Sequence, residues 1–154
     1  AQGVLPTRKT GHPKLPVTIL DRLESAINWE RPRDVRDLAF ATLLAETALR
    51  PGDILGIRSL KMWHLQPVQV EDYSRCRDGT GRLMLRPRAE RTASPQEPAF
   101  LSQRAVKNLD AWLAISGLRA GPLFRTFRAE AVVYQQSPPL PSDQANRALR
   151  RLGK

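Results

Sequence analysis

The feature that most constrains this chain is the run from Pro32 to Leu49, which passes through Leu38, Ala39, Phe40, Leu43 and Leu44 and is apolar on most helical sides by its end. A helix without a polar face has to be covered all round, so the spacing predicts a central helix with the remaining elements packed about it. Pro32 suits its first turn, where the missing N–H costs nothing, and Asp34 and Asp37 lie near its positive end. The run stops at Arg50-Pro51-Gly52, and Asp53 is placed to cap a short helix over Ile54–Leu60. An arginine thus stands in a break between two helices with an acid three residues later. That arrangement presents a guanidinium outward and holds its orientation.

Around this centre the pattern predicts a mainly α fold with a small antiparallel β-sheet, an α+β domain. Thr18 and Asp21 form an N-cap pair for a helix through Leu20, Leu23 and Ile27. Three β-like segments follow the break: Val68–Val70, then Arg82–Arg86 after the turn signal Asp78-Gly79, and Ala99–Leu101. The polar, proline-containing stretch from Pro87 to Pro98 reads as a loop. Ser102 caps an amphipathic helix with Val106, Leu109, Trp112 and Leu113 inward, ended by Gly117. Gly121-Pro122-Leu123-Phe124 is a tight apolar turn. A last helix from Ser142 sets Ala145, Leu149 and Leu152 against Arg147, Arg150 and Arg151. Residues 1–16, with three prolines and two glycines among Arg8, Lys9 and Lys14, read as a basic interdomain linker, leaving 17–154 as the folded unit.

Charge indicates the partner. Lys and Arg total 25 against 15 Asp and Glu, a net +10. Only Lys9, Lys14, Lys61, Lys107 and Lys154 are lysines; the rest are arginines, whose planar fork fits phosphate oxygens in pairs. A coding bias toward arginine accounts for the ratio equally well, but the net charge still points to a polyanion, nucleic acid first. No apolar run approaches the roughly 20 residues that span a bilayer, so no membrane partner is expected. The single Cys76 excludes an internal disulfide framework and suits a cytoplasmic location. Two histidines and one cysteine, widely separated, give no metal site of usual spacing, and no cofactor is implied.

Four local runs, in order, resemble the catalytic domain of the tyrosine recombinase (phage integrase) family. Thr47-Ala48-Leu49-Arg50-Pro51-Gly52-Asp53-Ile54 is similar to its first arginine motif, and Arg36-Asp37-Leu38-Ala39-Phe40 to an Arg-Asp-x-Ala helix start. Asp110-Ala111-Trp112-Leu113 through Gly121-Pro122-Leu123-Phe124-Arg125 resembles its helix and Pro-Leu-Phe turn. Leu140-Pro141-Ser142 onward resembles the helix leading to its second motif. The resemblance covers residues 17–152 and implies the DNA breaking-rejoining enzyme fold, incomplete at the C-terminus.

That resemblance implies site-specific cleavage and rejoining of double-stranded DNA through a phosphotyrosyl link, by a homo-oligomer on DNA when full length. Arg50 matches the first catalytic arginine, which meets charge that develops only in the transition state. Asp53 matches the supporting acid, with a plain helix N-cap as the other reading. The family's sheet-loop lysine has no counterpart, since no lysine lies between Lys61 and Lys107. The best register puts Arg91 there, with Arg88 the alternative, and simple backbone contact is an equal reading of both. Arg75, Arg77, Arg82, Arg86 and Arg88 are expected to grip the DNA backbone around the sheet. The His-x-x-Arg motif and nucleophilic tyrosine are expected beyond Lys154, so this piece alone should bind DNA without cutting it. Tyr73 and Tyr134 read as amphipathic surface residues, and Trp29, Trp63 and Trp112 as core. A non-catalytic DNA-binding module that keeps the fold is the alternative function.

Overall fold

Pro32 opens the central helix as expected. In the computed structural model, which describes residues 16, 18–85, 98–126 and 138–152, helix α2 (Pro32–Glu46) is buried continuously from Val35 to Ala45. Helix α1 (Thr18–Ala26) lies against it through Leu20 and Leu23. Helix α4 (Gln103–Ser116) is its main partner, with Val106, Leu109 and Trp112 facing Phe40 and Leu43 in one cluster. Phe124 joins the two helices: its ring meets Phe40 edge-on at 5.4 Å and stacks on Trp112 at 6.4 Å. The Trp112 indole N–H donates to the Leu123 carbonyl at 2.8 Å, so the largest core side chain buries no unmet donor. The Ser102 cap is as read from sequence, with its hydroxyl accepting from the Ala105 N–H at 3.1 Å. The same hydroxyl donates to the Glu46 carboxylate at 2.6 Å, tying the start of α4 to the end of α2. Helix α5 (Ser142–Leu152) packs Ala145 and Ala148 inward against α2 and a short helix α3 (Pro51–Leu55).

Three expectations are corrected at the centre of the chain. The short helix ends at Leu55, not Leu60, and Ile57–Leu65 is a hairpin of strands β1 (Ile57–Ser59) and β2 (Met62–Leu65). Gly56 is the cause. At φ +81° and ψ 168° it adopts a backbone that only glycine holds easily, and a Cβ there would lie 2.7 Å from the Leu65 carbonyl oxygen and 2.8 Å from the Pro67 nitrogen. The expected strand Val68–Val70 is not a strand. Gln69 forms an isolated bridge to Pro122, and Val70–Asp72 is a 3₁₀ turn whose Asp72 carboxylate accepts the Gln69 N–H at 2.8 Å. The first strand of the sheet is instead β3 (Tyr73–Arg75).

Strands β3, β4 (Gly81–Met84) and β5 (Pro98–Leu101) form an antiparallel meander, with Ser74, Arg82 and Phe100 in register across it. Leu83 and Leu101 point to the core, while Arg82 and Phe100 point outward. The described structure is therefore α+β, with a separate hairpin added to the small sheet. None of its helices is long and apolar enough to cross a membrane.

Candidate nucleic-acid interface

Arg50 sits in a break that is pinned on both sides. On the α2 side, the Thr47 hydroxyl donates to the Leu43 carbonyl at 2.6 Å and accepts the Leu49 N–H at 3.2 Å. That side chain terminates the long helix and sets the direction in which the chain leaves. On the α3 side, the Arg50 N–H donates to Asp53 Oδ2 at 2.9 Å, and the Asp53 N–H donates to the Arg50 carbonyl at 3.0 Å. Buried Pro51, Ile54 and Leu55 hold α3 down. Asp53 is therefore not the N-cap that the sequence suggested: Arg50 takes that place, and Asp53, inside α3, closes the first turn by accepting the Arg50 backbone N–H. Among the described residues the half-buried Arg50 guanidinium has no hydrogen-bond or ion-pair partner. A fixed backbone carrying an uncommitted guanidinium is a means of receiving an anionic oxygen.

The sheet arginines are not one cluster. Alternation along the strands puts Arg75 and Arg82 on opposite faces. Arg75 is engaged by α4: its Nε donates to both Asp110 carboxylate oxygens at 2.8 and 3.0 Å, and its guanidinium lies 5.2 Å from the Tyr73 ring. Asp110 holds that guanidinium charged beyond its ordinary range. Arg82, on the outer face, lies 5.8 Å over the exposed Phe100 ring, and Arg77 is exposed in the β3–β4 turn. Arg86, Arg88 and Arg91 lie outside the described residues.

Tyr73 is half-buried rather than a plain surface residue. Its hydroxyl donates to Asp110 Oδ1 at 2.7 Å, and burial, followed by that bond and the carboxylate charge, pushes the phenol well above its usual range. It is held as a donor to Asp110. Of the three tryptophans, Trp112 alone is fully buried. Trp29 is at the surface with Lys107 Nζ 5.7 Å from its ring, and Trp63 lies under Arg58 at 5.4 Å.

A second polar group escaped the sequence reading. Arg36 and Asp37 are both buried, and Arg36 Nε and Nη2 donate to Asp37 Oδ1 at 2.9 and 2.8 Å. Arg36 Nη1 reaches the Arg125 carbonyl at 3.2 Å, and Arg151 Nη2 on α5 reaches Asp37 Oδ2 at 3.1 Å. Burial lowers the Arg36 pKa and raises that of Asp37, each opposed by its partner's charge. Buried Arg125 donates from Nε to the Pro122 carbonyl at 3.0 Å and from Nη2 to the Ala120 carbonyl. Gly121 has a φ of +84°, and a Cβ there would fall in the space that the Arg125 guanidinium fills. This network clamps α2, α5 and the Phe124 turn together. The sequence signal was the adjacent Arg-Asp pair inside an otherwise apolar helix.

Among the described residues no group of three His, Cys, Asp or Glu side chains could hold a metal ion. The chain matches no protein-family model and no curated protein.

Proposed function

We propose that this chain is the phosphate-gripping part of a tyrosine-recombinase catalytic domain, acting in site-specific DNA recombination. In this reading a tyrosine oxygen attacks the scissile phosphorus and forms a 3′-phosphotyrosyl bond. The bond to the 5′-oxygen breaks, and that oxygen takes up a proton. Arg50 stabilises the added negative charge on the non-bridging oxygens. The observation that carries the reading is the Arg50 break: backbone held by Thr47 and Asp53, guanidinium uncommitted among the described residues. The order of elements and the net charge of +10 support it. This reading takes the nucleophile from a position other than Tyr73, whose hydroxyl donates to Asp110.

The experiment replaces Arg50 by Ala and by Lys in the protein that carries the full motif set, and measures duplex binding and cleavage of a nicked duplex separately. Cleavage falls by about 10²–10³ while affinity stays nearly unchanged, the scale for losing one transition-state donor. Equal loss of both, or of neither, would remove Arg50 from the catalytic groups. A second reading, a DNA-binding module without cleavage, is favoured by the absence of any lysine between Lys61 and Lys107. Arginine, with a pKa above about 12, gives up a proton reluctantly to a leaving oxygen. Wild-type protein that binds duplex and never forms the covalent link would establish that second reading.

A further inference from the structure

The β1–β2 hairpin projects three apolar side chains into solvent: Leu60 is 94% exposed, Met62 65% and Ile57 41%. Its two-residue tip, Leu60-Lys61, has positive φ at both positions, 51° and 65°. Such a turn is the ordinary habitat of Asn and Gly, and an aliphatic residue there is strained as well as exposed. Neither the backbone nor the core therefore accounts for leucine at the tip. The hairpin is stiffened from within by Arg58 over Trp63 at 5.4 Å and by the Ser59 hydroxyl against His64 Nε2 at 2.5 Å. It is braced at its base by Gly56, and an open cleft of about 570 Å³ separates it from Pro138–Asp143. Residues 57–65 carry two cations, Arg58 and Lys61, and no acid, on a chain of net charge +10.

A rigid, narrow, apolar tip flanked by cations complements a duplex: the cations meet phosphates, and the aliphatic side chain enters between stacked bases, as apolar wedges do from the minor groove. We infer that the β1–β2 hairpin is a DNA wedge, with Leu60 inserted at a base step and Arg58 and Lys61 on the flanking phosphates. The inference rests on the DNA-binding reading above and adds to it a second contact, separate from Arg50, that deforms the duplex.

The test uses the 154-residue chain and a duplex of about 30 base pairs labelled at both ends. Energy transfer reports bending, and the salt dependence of affinity reports phosphate contacts. Leu60→Asn is the informative variant, because Asn tolerates the left-handed tip and the hairpin keeps its shape. The expected result is a rise in energy transfer on wild-type binding that falls by more than half in Leu60→Asn, with the salt slope unchanged. Arg58→Ala with Lys61→Ala lowers the slope by about 2. Wild-type bending that survives Leu60→Asn, or binding without bending, would overturn the wedge and leave the DNA-binding reading standing. Absence of duplex binding at 50 mM salt would overturn both. Leu60-dependent binding to phosphatidylserine vesicles in place of duplex would assign the tip to a membrane and overturn the wedge.

Discussion

Removing the Asp37 carboxylate tests the buried clamp. Asp37→Ala takes from Arg36 the oxygen that accepts its 2.9 and 2.8 Å bonds, and from Arg151 the oxygen at 3.1 Å. The two central side chains are only 5% and 6% exposed, so water cannot replace the lost acceptor without opening the packing. Breaking one member of a buried ion pair costs about 3–5 kcal/mol, because a desolvated charge is left without its counter-ion. For a domain of this size each kcal/mol moves the melting temperature by about 2–4 °C, so a fall of roughly 6–20 °C is expected. Replacing both partners, Arg36→Met with Asp37→Leu, removes the charge as well as the bonds, and stability returns to within about 1 kcal/mol of wild type or above it. Arg151→Ala costs less than about 1 kcal/mol, since its side chain is 57% exposed and solvent screens the contact. Urea and thermal unfolding followed by circular dichroism measure all four proteins, and Arg36→Met and Asp37→Leu made singly complete the cycle with their double variant. Asp37→Ala melting within about 2 °C of wild type, or a double variant no better than the single, would refute the argument that desolvation controls this site.

Other outcomes follow from the same geometry. Gly56→Ala should destabilise by about 1–3 kcal/mol or more, because the new Cβ meets backbone on two sides at a φ of +81°, and a urea midpoint unchanged from wild type would contradict it. Arg75→Ala should leave the salt slope of duplex binding nearly unchanged, since Asp110 already holds that guanidinium, whereas Arg82→Ala should lower it by about 1. An equal effect of the two would show that the sheet faces do not divide the arginines as described. Tyr73 has a raised folded pKa, so the stability it contributes is present below the ordinary phenol pKa of about 10 and is lost as pH rises through the higher folded value. Ultraviolet titration should therefore show a phenol resisting ionisation above pH 10 that disappears in Tyr73→Phe; a normal titration of both tyrosines would remove the Asp110 bond from the argument.

What was legible locally was also local in cause. The central helix, the Ser102 cap, the Gly117 stop and the opening of α5 at Ser142 all rest on backbone groups satisfied within a few residues, and side-chain periodicity records them. Arg50 and Asp53 were visible for the same reason, since three residues separate the two groups that bond. The hairpin at Ile57–Leu65 was missed because its turn carries Leu60-Lys61 in place of Asn or Gly, and because Gly56 stops α3 by close approach to Leu65 and Pro67, which no linear pattern displays. Val68–Val70 has strand composition, yet its hydrogen bonds go to Ile54 and, some fifty residues away, to Gly121 and Leu123 about an isolated bridge.

The sequence by itself determined the α+β class, the central helix, the placing of an arginine in a chain break and a net charge of +10. Tertiary structure alone decided which arginines are available. Arg75 is engaged by Asp110 from another element, Arg36 and Arg125 are buried in the clamp, and Arg82 faces outward over Phe100, while the Arg50 guanidinium stands without a partner among the described residues. The reason is physical: net charge is a sum over residues and can be counted along the chain, but the state of each guanidinium depends on the dielectric and the acceptors around it, which distant segments supply only on folding.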